Sequence, residues 1–139
     1  MYTEDTANDF RLSDYDYIID AIDSINDKML LMLRACETSA VFYSSMGAAR
    51  KIDTSRIAVA EFWKVKGCPL GATLRRKFRA TGTFPKKKFK CVYSEEQPSP
   101  VVGIGLGSLH HITAIFGLTI ASLVIKDMIM LAGMDEKMS

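Results

Sequence analysis

The stretch YDYIIDAIDSINDK, residues 15–28, decides the fold that this sequence predicts. Its residues 17–19 form a short continuous apolar run, which is typical of a strand buried on both faces of a parallel sheet. Two carboxylates, Asp20 and Asp23, follow that run directly. Apolar residues then recur at helical spacing over residues 25–37. The stretch therefore predicts a buried strand, an acidic turn and a helix.

The elements around this helix predict a βαβ unit. Ser24 and Asp27 have the spacing of a capping box at the helix start, and residues 40–44 (AVFYS) predict a second strand. A strand, a helix and a strand in this order imply a parallel pair joined by a right-handed crossover. The rest of the chain predicts strands at 56–63 and 89–93, a helix at 70–79, a loop at 81–85, a turn at 97–100 and a long helix at 112–131 that stops near Gly133.

The composition is that of one soluble α/β domain covering residues 1–139. The chain has 139 residues, of which 48% are hydrophobic and 24% charged, and its net charge is +2. Its three cysteines, Cys36, Cys68 and Cys91, include no C-x-x-C pair. This argues against a zinc knuckle or a redox dithiol and fits a reducing cytosol. The acidic N-terminus has no apolar run, so no signal peptide is expected.

The two carboxylates after the first strand can serve chemistry or structure. Ligands of open α/β sheets bind at the carboxyl ends of strands. A carboxylate there can bind Mg²⁺ and hence the phosphates of a nucleotide. Alternatively, Asp20 and Asp23 only complement the positive end of the following helix. Spacing alone favours this second interpretation.

A dense basic run occupies residues 75–90. It carries eight positive charges and no acid, and three phenylalanines are interleaved with them. Such a run can neutralise RNA phosphates and stack on bases. It can also be a solvated surface, or a partner for residues 1–27, which hold eight acids and one base. The charges by themselves slightly favour these structural interpretations.

Three further features favour structural roles. The G-x-G-x-G pattern over residues 103–107 lacks the spacing and context of a nucleotide-binding loop, so a flexible turn is expected. His110 and His111 have no companion at ligand spacing and are expected to be a structural pair at a helix start. Cys91 lies in a strand-like setting and is expected to be an inert, half-buried thiol.

The segment 101–125 contains no Asp, Glu, Lys or Arg and is long enough to span a bilayer. Its first third is loop-like and two histidines interrupt it. The uninterrupted apolar part, residues 112–125, has the length of a buried core helix. A core helix is therefore expected, and a membrane helix is the minor alternative.

Four ordered blocks carry a resemblance to a known family. They are YDYIIDAIDSINDK, SSMGAARKIDTSRIAVAEF, CPLGATLRRKFRATG, and CVYSEEQP followed by GSLHHITAIFGLTIASLVIKDM, and they cover nearly all of residues 15–131. The chain resembles the ThiF/MoeB/HesA adenylating family, which shares the ubiquitin-activating-enzyme fold. It is most similar to the subgroup of tRNA threonylcarbamoyladenosine dehydratases. The resemblance implies the C-terminal half of a Rossmann-like ThiF-type fold: α/β, with a mixed sheet, flanking helices and a long core C-terminal helix.

The resemblance also implies a chemistry and its residues. Such enzymes use ATP with Mg²⁺ to adenylate a carboxylate. In the dehydratases the carboxylate belongs to the threonylcarbamoyl group on a tRNA adenosine, and AMP leaves as the ring closes. Asp23 matches the catalytic aspartate that contacts ATP and its Mg²⁺, Asp20 matches an acid that shapes the nucleotide site, and Lys28 matches a basic residue that faces the nucleotide. The implied tRNA-binding residues are Arg75, Arg76, Lys77, Arg79, Lys86, Lys87 and Lys88.

The family's N-terminal half has no counterpart in residues 1–139. That half carries the glycine-rich loop and the Arg and Lys that grip the phosphates, so we expect this chain alone neither to bind ATP well nor to catalyse. The resemblance further implies a cytoplasmic homodimer that binds tRNA and no membrane. One alternative is an adenylating enzyme for a ubiquitin-like sulfur carrier, against which the lack of paired zinc cysteines argues mildly. The other is a non-catalytic dimerisation or interaction module.

Overall fold

The structure, a computed structural model, describes residues 1–97 and 107–138. Within them the strands and longer helices are β1 (Tyr17–Asp20), α1 (Ile25–Ala35), β2 (Val41–Ser45), β3 (Ile57–Glu61), α2 (Pro69–Thr81), β4 (Lys90–Ser94) and α3 (His110–Met138). The expected turn at residues 97–100 and the glycine pattern at 103–107 lie almost entirely outside the described residues.

The four strands form one mixed sheet in the order β1-β2-β4-β3. β1, β2 and β4 run parallel, whereas β3 runs antiparallel to β4. The predicted βαβ unit is confirmed, because α1 connects the parallel strands β1 and β2 and places Asp20 beside Ser44. The predicted mixed α/β class is confirmed as well. The carboxyl ends of β1 and β2 consequently lie side by side.

The start of α1 differs from the predicted capping box. Ser24 is the N-cap residue, but its side chain makes no capping hydrogen bond. The turn before the helix is held instead by the side chains of Asp20 and Lys28, which bind the backbone of Ile22. The expected hydrogen bond with the Ser24 side chain is therefore replaced by two buried side chains, Asp20 before the turn and Lys28 after it.

The ends of α2 follow local rules closely. Pro69 occupies the first turn, where a missing N–H has no cost. The preceding Cys68 caps the helix, since its Sγ accepts a hydrogen bond from the Gly71 N–H at 3.4 Å. The helix ends at Gly82, whose φ of 69° lies in the left-handed region that favours glycine.

Apolar side chains cover both faces of the sheet. On one face α1 and α2 bury a cluster that includes Met32, Ala35, Phe42, Phe62, Leu74, Phe78 and Cys91. On the other face α3 buries a smaller cluster of Tyr43, Val92, Ile112, Phe116 and Ile120. Phe42 and Tyr43 are adjacent in β2 and belong to different clusters, because successive side chains of a strand point to opposite faces.

α3 corrects two expectations, a stop near Gly133 and a helix buried in the core. The helix continues to Met138, since a glycine inside a helix costs only about 1 kcal/mol relative to alanine. Within residues 110–134 the buried side chains are Ile112, Phe116 and Ile120, which are four residues apart and face the sheet. The exposed apolar side chains of α3 are Leu118, Ile125, Met128, Ile129, Met130, Leu131 and Met134, and those at 128–131 point to all sides of the helix.

A polar contact also ties α3 to the sheet. The Tyr43 hydroxyl on β2 donates a hydrogen bond to the Asp127 carboxylate on α3. Burial and this bond to an acid raise the pKa of Tyr43. By length and composition alone, residues His110–Met134 of this helix could cross a membrane.

Candidate functional site

A cleft opens at the carboxyl ends of β1 and β2, between the sheet and α3. Its volume is about 380 Å³, and its lining includes Ile19 and Met46 on the sheet side and Thr113 and Phe116 on α3. Asp23 is the one ionisable side chain among the described residues that line it. Because ligands of open α/β sheets bind at the carboxyl ends of the strands, this cleft is the candidate site.

Asp23 presents an exposed carboxylate in the turn between β1 and α1. In the part of the chain that the structure describes, no hydrogen-bond donor or cation contacts this carboxylate. It therefore keeps its acceptor sites for a ligand. The same residues contain no group of three or more His, Cys, Asp or Glu that could hold a metal ion. A Mg²⁺ ion at Asp23 would therefore take its other ligands from a nucleotide or from water.

Asp20 lies behind the wall of the cleft and not in it. Its side chain and that of Lys28 are both fully buried, and Lys28 Nζ lies 2.7 Å from Asp20 Oδ2. Ser44 Oγ donates to Oδ2 at 2.6 Å, and the Ile22 N–H donates to Oδ1 at 2.9 Å. Both oxygens of the carboxylate are thus used inside the protein, so Asp20 is not placed to contact a ligand directly.

Lys28 corrects the prediction of a residue that faces the nucleotide. Besides Asp20, its ammonium group donates to the Ile22 carbonyl at 3.0 Å and to the Ser45 carbonyl at 2.7 Å. These three acceptors use all three protons of the ammonium. The physical reason is burial, because an ammonium group removed from water must be paired and fully hydrogen-bonded.

The buried pair fixes the turn that carries Asp23. Ile22, the residue before Asp23, donates its N–H to Asp20 and accepts from Lys28 at its carbonyl. The turn cannot rotate at Ile22 without breaking a hydrogen bond in the interior. Sequence reasoning missed Ser44, although the parallel pairing of β1 with β2 is the signal that places it beside Asp20.

The predicted basic residues on α2 are mostly engaged within the protein. Arg75 donates to the Phe62 carbonyl at 3.1 Å, and its guanidinium lies 6.0 Å from the centre of the Phe62 ring. The Arg79 guanidinium lies 5.6 Å from the centre of the Trp63 ring. Lys77 donates to Asn26 at 2.9 Å. Each of these three side chains therefore already makes a contact within the protein.

The three consecutive lysines differ from one another. Lys86 forms an exposed ion pair with Glu37 at 2.8 Å. Lys87 donates to the carbonyls of Thr38, at 2.9 Å, and Ala40. Lys88 and Arg76 are exposed, and among the described residues neither has a hydrogen-bond partner or an ion pair. Of the seven predicted tRNA-binding residues, these two are the ones left free for an external phosphate.

The remaining candidates have structural positions. His110 is the first residue of α3, and His111 Nε2 lies 2.9 Å from the Ile52 carbonyl oxygen. Cys91 is completely buried and not half-buried as predicted. Burial raises the pKa of its thiol, which agrees with the expected inertness.

The fold that surrounds the cleft is similar to that of solved enzymes. Escherichia coli tRNA N6-threonylcarbamoyladenosine dehydratase, solved with AMP, matches with a TM-score of 0.82 and 30% identity, over 96% of this chain and 56% of that chain. The same enzyme solved with ATP gives the same values. The tRNA threonylcarbamoyladenosine dehydratase of Bacillus subtilis is 37% identical over 98 residues. The chain is homologous to part of these dehydratases.

The homology covers a defined share of each dehydratase. The match to the Bacillus subtilis dehydratase spans 70% of this chain and 38% of the relative. The chain thus spans about two fifths of that relative and somewhat over half of the solved Escherichia coli chain. No protein-family model matches the sequence. The resemblance to the dehydratase subgroup is thus confirmed for the part of those enzymes that this chain covers.

Proposed function

We propose that this chain supplies part of an ATP-dependent tRNA threonylcarbamoyladenosine dehydratase. The observation that carries the proposal is the cleft at the strand ends, where the Asp23 carboxylate has no partner among the described residues. The similarity to a dehydratase solved with ATP and with AMP supports it. In the proposed reaction, ATP adenylates the threonylcarbamoyl carboxylate of a tRNA adenosine, and the product cyclises with loss of AMP.

Adenylation permits cyclisation because a carboxylate oxygen is a poor leaving group by itself. After adenylation that oxygen leaves as part of AMP. The carboxylate oxygen bonds to the α-phosphorus of ATP while the bond to pyrophosphate breaks. Negative charge on the phosphate oxygens is stabilised by preorganised cations. A Mg²⁺ ion that accompanies the nucleotide supplies such a charge, and Asp23 is the residue of this chain that would hold it. Asp20 and Lys28 act as positioning residues through the backbone of Ile22.

We further infer that residues 1–139 form a single domain equivalent to the C-terminal portion of a ThiF-like adenylating domain. β1 is an edge strand of the sheet, and Ile19 on it is 50% exposed. An apolar parallel strand is normally covered and paired, so this edge favours a further strand beside β1. The groups that grip the phosphates then belong to polypeptide outside residues 1–139.

Restoring the uncovered part of a dehydratase tests this assignment. We expect the chain alone to show no measurable Mg-ATP binding by titration calorimetry. After co-expression with the segment of the Escherichia coli enzyme outside the matched region, the complex should bind ATP and release AMP with threonylcarbamoylated tRNA. That segment alone is the control. Pyrophosphate release with a ubiquitin-like sulfur carrier in place of tRNA would select the sulfur-carrier alternative.

A non-catalytic dimerisation module is the second candidate function. The exposed apolar side chains of α3 favour it, because an apolar surface of this extent normally packs against a partner. A complex that neither binds ATP nor releases AMP, together with a chain that sediments as a dimer, would select the module.

In both candidates we propose a cytoplasmic homodimer in which α3 packs against its copy and not in a membrane. The contact of Tyr43 with Asp127, which holds α3 on the sheet, supports this.

Arg76 and Lys88 are the proposed phosphate contacts for tRNA, since both are exposed and unpaired within the described residues. We expect Arg76→Gln with Lys88→Gln to weaken tRNA binding and to reduce the slope of log affinity against log salt by about 0.7–1 for each lost contact. Filter binding over a salt series measures this. Lys126→Gln, an exposed lysine on α3 outside the basic run, is the matched control. Equal slopes for the double variant and the control would mean that the run is only a solvated surface.

A further inference from the structure

A second cavity lies on the other side of the segment that follows β2. Met46 and Ala48 line the cleft, whereas Gly47 and Ala49 line this cavity, so one short segment separates the two. The cavity has a volume of about 270 Å³. The residues that line it are Gly47, Ala49, Arg50, Lys51, Cys68, Pro69 and Leu70. Apolar groups thus surround a small space that also contains a lysine and a cysteine.

Lys51 is a buried cation with an incomplete set of partners. It is 1% exposed, and its ammonium group donates to the Ser94 carbonyl at 3.3 Å and to the Glu96 carbonyl. Within residues 1–97 and 107–134 it forms no ion pair with a carboxylate, and its third proton has no acceptor. Burial lowers the pKa of Lys51, and the nearby charges of Cys68 and Glu96 oppose this. A buried ammonium of this kind favours an oxygen or a thiolate in the adjoining space.

Cys68 is the nucleophilic side chain that lines the same cavity. It is the N-cap residue of α2, a helix of 13 residues, and its Sγ already accepts the Gly71 N–H. Lys51 lines the same cavity as Cys68, so the thiol and the buried ammonium belong to one small space. The side chain is 3% exposed on the surface, but it lines the cavity. Cys68 is therefore part of the cavity wall.

The other two cysteines provide an internal comparison. Cys36 and Cys91 are also buried and free, but neither lines this cavity or the cleft. Burial raises the pKa of both thiols. Burial alone therefore does not distinguish Cys68, whereas the cavity and Lys51 do.

We propose that Cys68 and Lys51 form a thiol-modification site that takes small α,β-unsaturated carbonyl compounds. The Cys68 thiolate attacks the β-carbon and forms an S–C bond, and the electrons of the C=C bond move toward the carbonyl oxygen. The third proton of the Lys51 ammonium binds that oxygen as its charge grows. A proton from water ends on the α-carbon and replaces the one that Cys68 released, so the net reaction is addition of S–H across C=C with no leaving group. This site is separate from the cleft and does not depend on the dehydratase assignment.

Acrylamide, a small uncharged member of this class, is the probe. The chain is treated under native conditions, quenched and digested, and the modification of each cysteine is followed by mass spectrometry. We expect Cys68 to react at least about tenfold faster than Cys36 and Cys91, because of the three thiols it is the one that lines this cavity, and access controls thiol reactivity. In urea the three rates should become equal. Equal native rates at Cys68 and Cys36 would overturn the proposal without any variant.

Two substitutions test the role of Lys51. Lys51→Met should slow the reaction of Cys68, because the carbonyl oxygen loses its cation, whereas Lys51→Arg should retain most of the rate. An unchanged rate in a folded Lys51→Met variant would contradict the assignment of Lys51. If Lys51→Met does not fold, Lys51→Arg provides the test. The assignment of Lys51 is then contradicted if Cys68 reacts no faster in folded Lys51→Arg than in the unsubstituted chain unfolded by urea.

Discussion

Replacement of Asp23 by alanine should reduce turnover of the assembled dehydratase by more than about 100-fold, since even the loss of an outer-shell partner of a metal ligand costs 10–100-fold. Asp23 is the one ionisable side chain among the described residues of the cleft. Without it, the described residues of the cleft offer no carboxylate to hold a Mg²⁺ ion against the phosphates of ATP. The reaction is measured as AMP formation in a single turnover with threonylcarbamoylated tRNA.

Asp16 provides the matched control for Asp23. It is exposed like Asp23 and lies immediately before β1, at the opposite end of that strand. Asp16→Ala should therefore leave turnover unchanged. Asp23 is exposed and makes no contact within the described residues, so Asp23→Ala should unfold at the same urea concentration as the native chain. Full turnover in Asp23→Ala would remove Asp23 from the mechanism.

Replacement of Lys28 by methionine should lower the free energy of unfolding by about 3–5 kcal/mol, the typical cost of removing one partner from a buried ion pair. The reason is the carboxylate that remains. Asp20 would stay fully buried with two hydrogen-bond donors but no counter-charge. Urea unfolding followed by circular dichroism measures the change, which is large for a domain with a typical stability of about 5–15 kcal/mol.

Lys86→Met is the control for Lys28→Met, since it makes the same replacement in an exposed ion pair with Glu37. Exposed pairs contribute about 0–1 kcal/mol, so this variant should unfold nearly as the native chain does. Asp20→Asn combined with Lys28→Met should recover part of the lost stability, because it removes the buried charge and keeps the side-chain shape. Equal losses in Lys28→Met and Lys86→Met would mean that the buried pair does not hold the turn.

Much of the local structure could be predicted because it follows from short stretches of chain. The apolar run of β1, the helical spacing of α1 and the helix predicted at 70–79 each depend on neighbours within a few residues. The capping box at Ser24 failed because buried side chains replaced the local cap. The stop at Gly133 failed because one glycine is a weak breaker inside a long apolar helix.

The candidate site could be predicted only in part. The position of Asp23 after β1 needed no tertiary information, but spacing alone favoured a structural role there, and the role at the nucleotide came from the family resemblance. Lys28 was assigned the wrong surroundings, because its environment depends on which strand α1 packs against. Cys68 and Lys51 are 17 positions apart in the sequence, and nothing in the sequence signals that they line one cavity.

The sequence by itself determined the α/β class, the β1–α1–β2 unit and the carboxylate at the end of β1, since these depend on periodicity and on residue types over short distances. Tertiary structure alone decided the order β1-β2-β4-β3, the burial of Asp20 with Lys28 and the exposure of most of α3. The reason is that burial is a property of the contacts between distant segments. A lysine or an apolar helix has the same sequence signature in the interior and on the surface, and only its packing partners set its role.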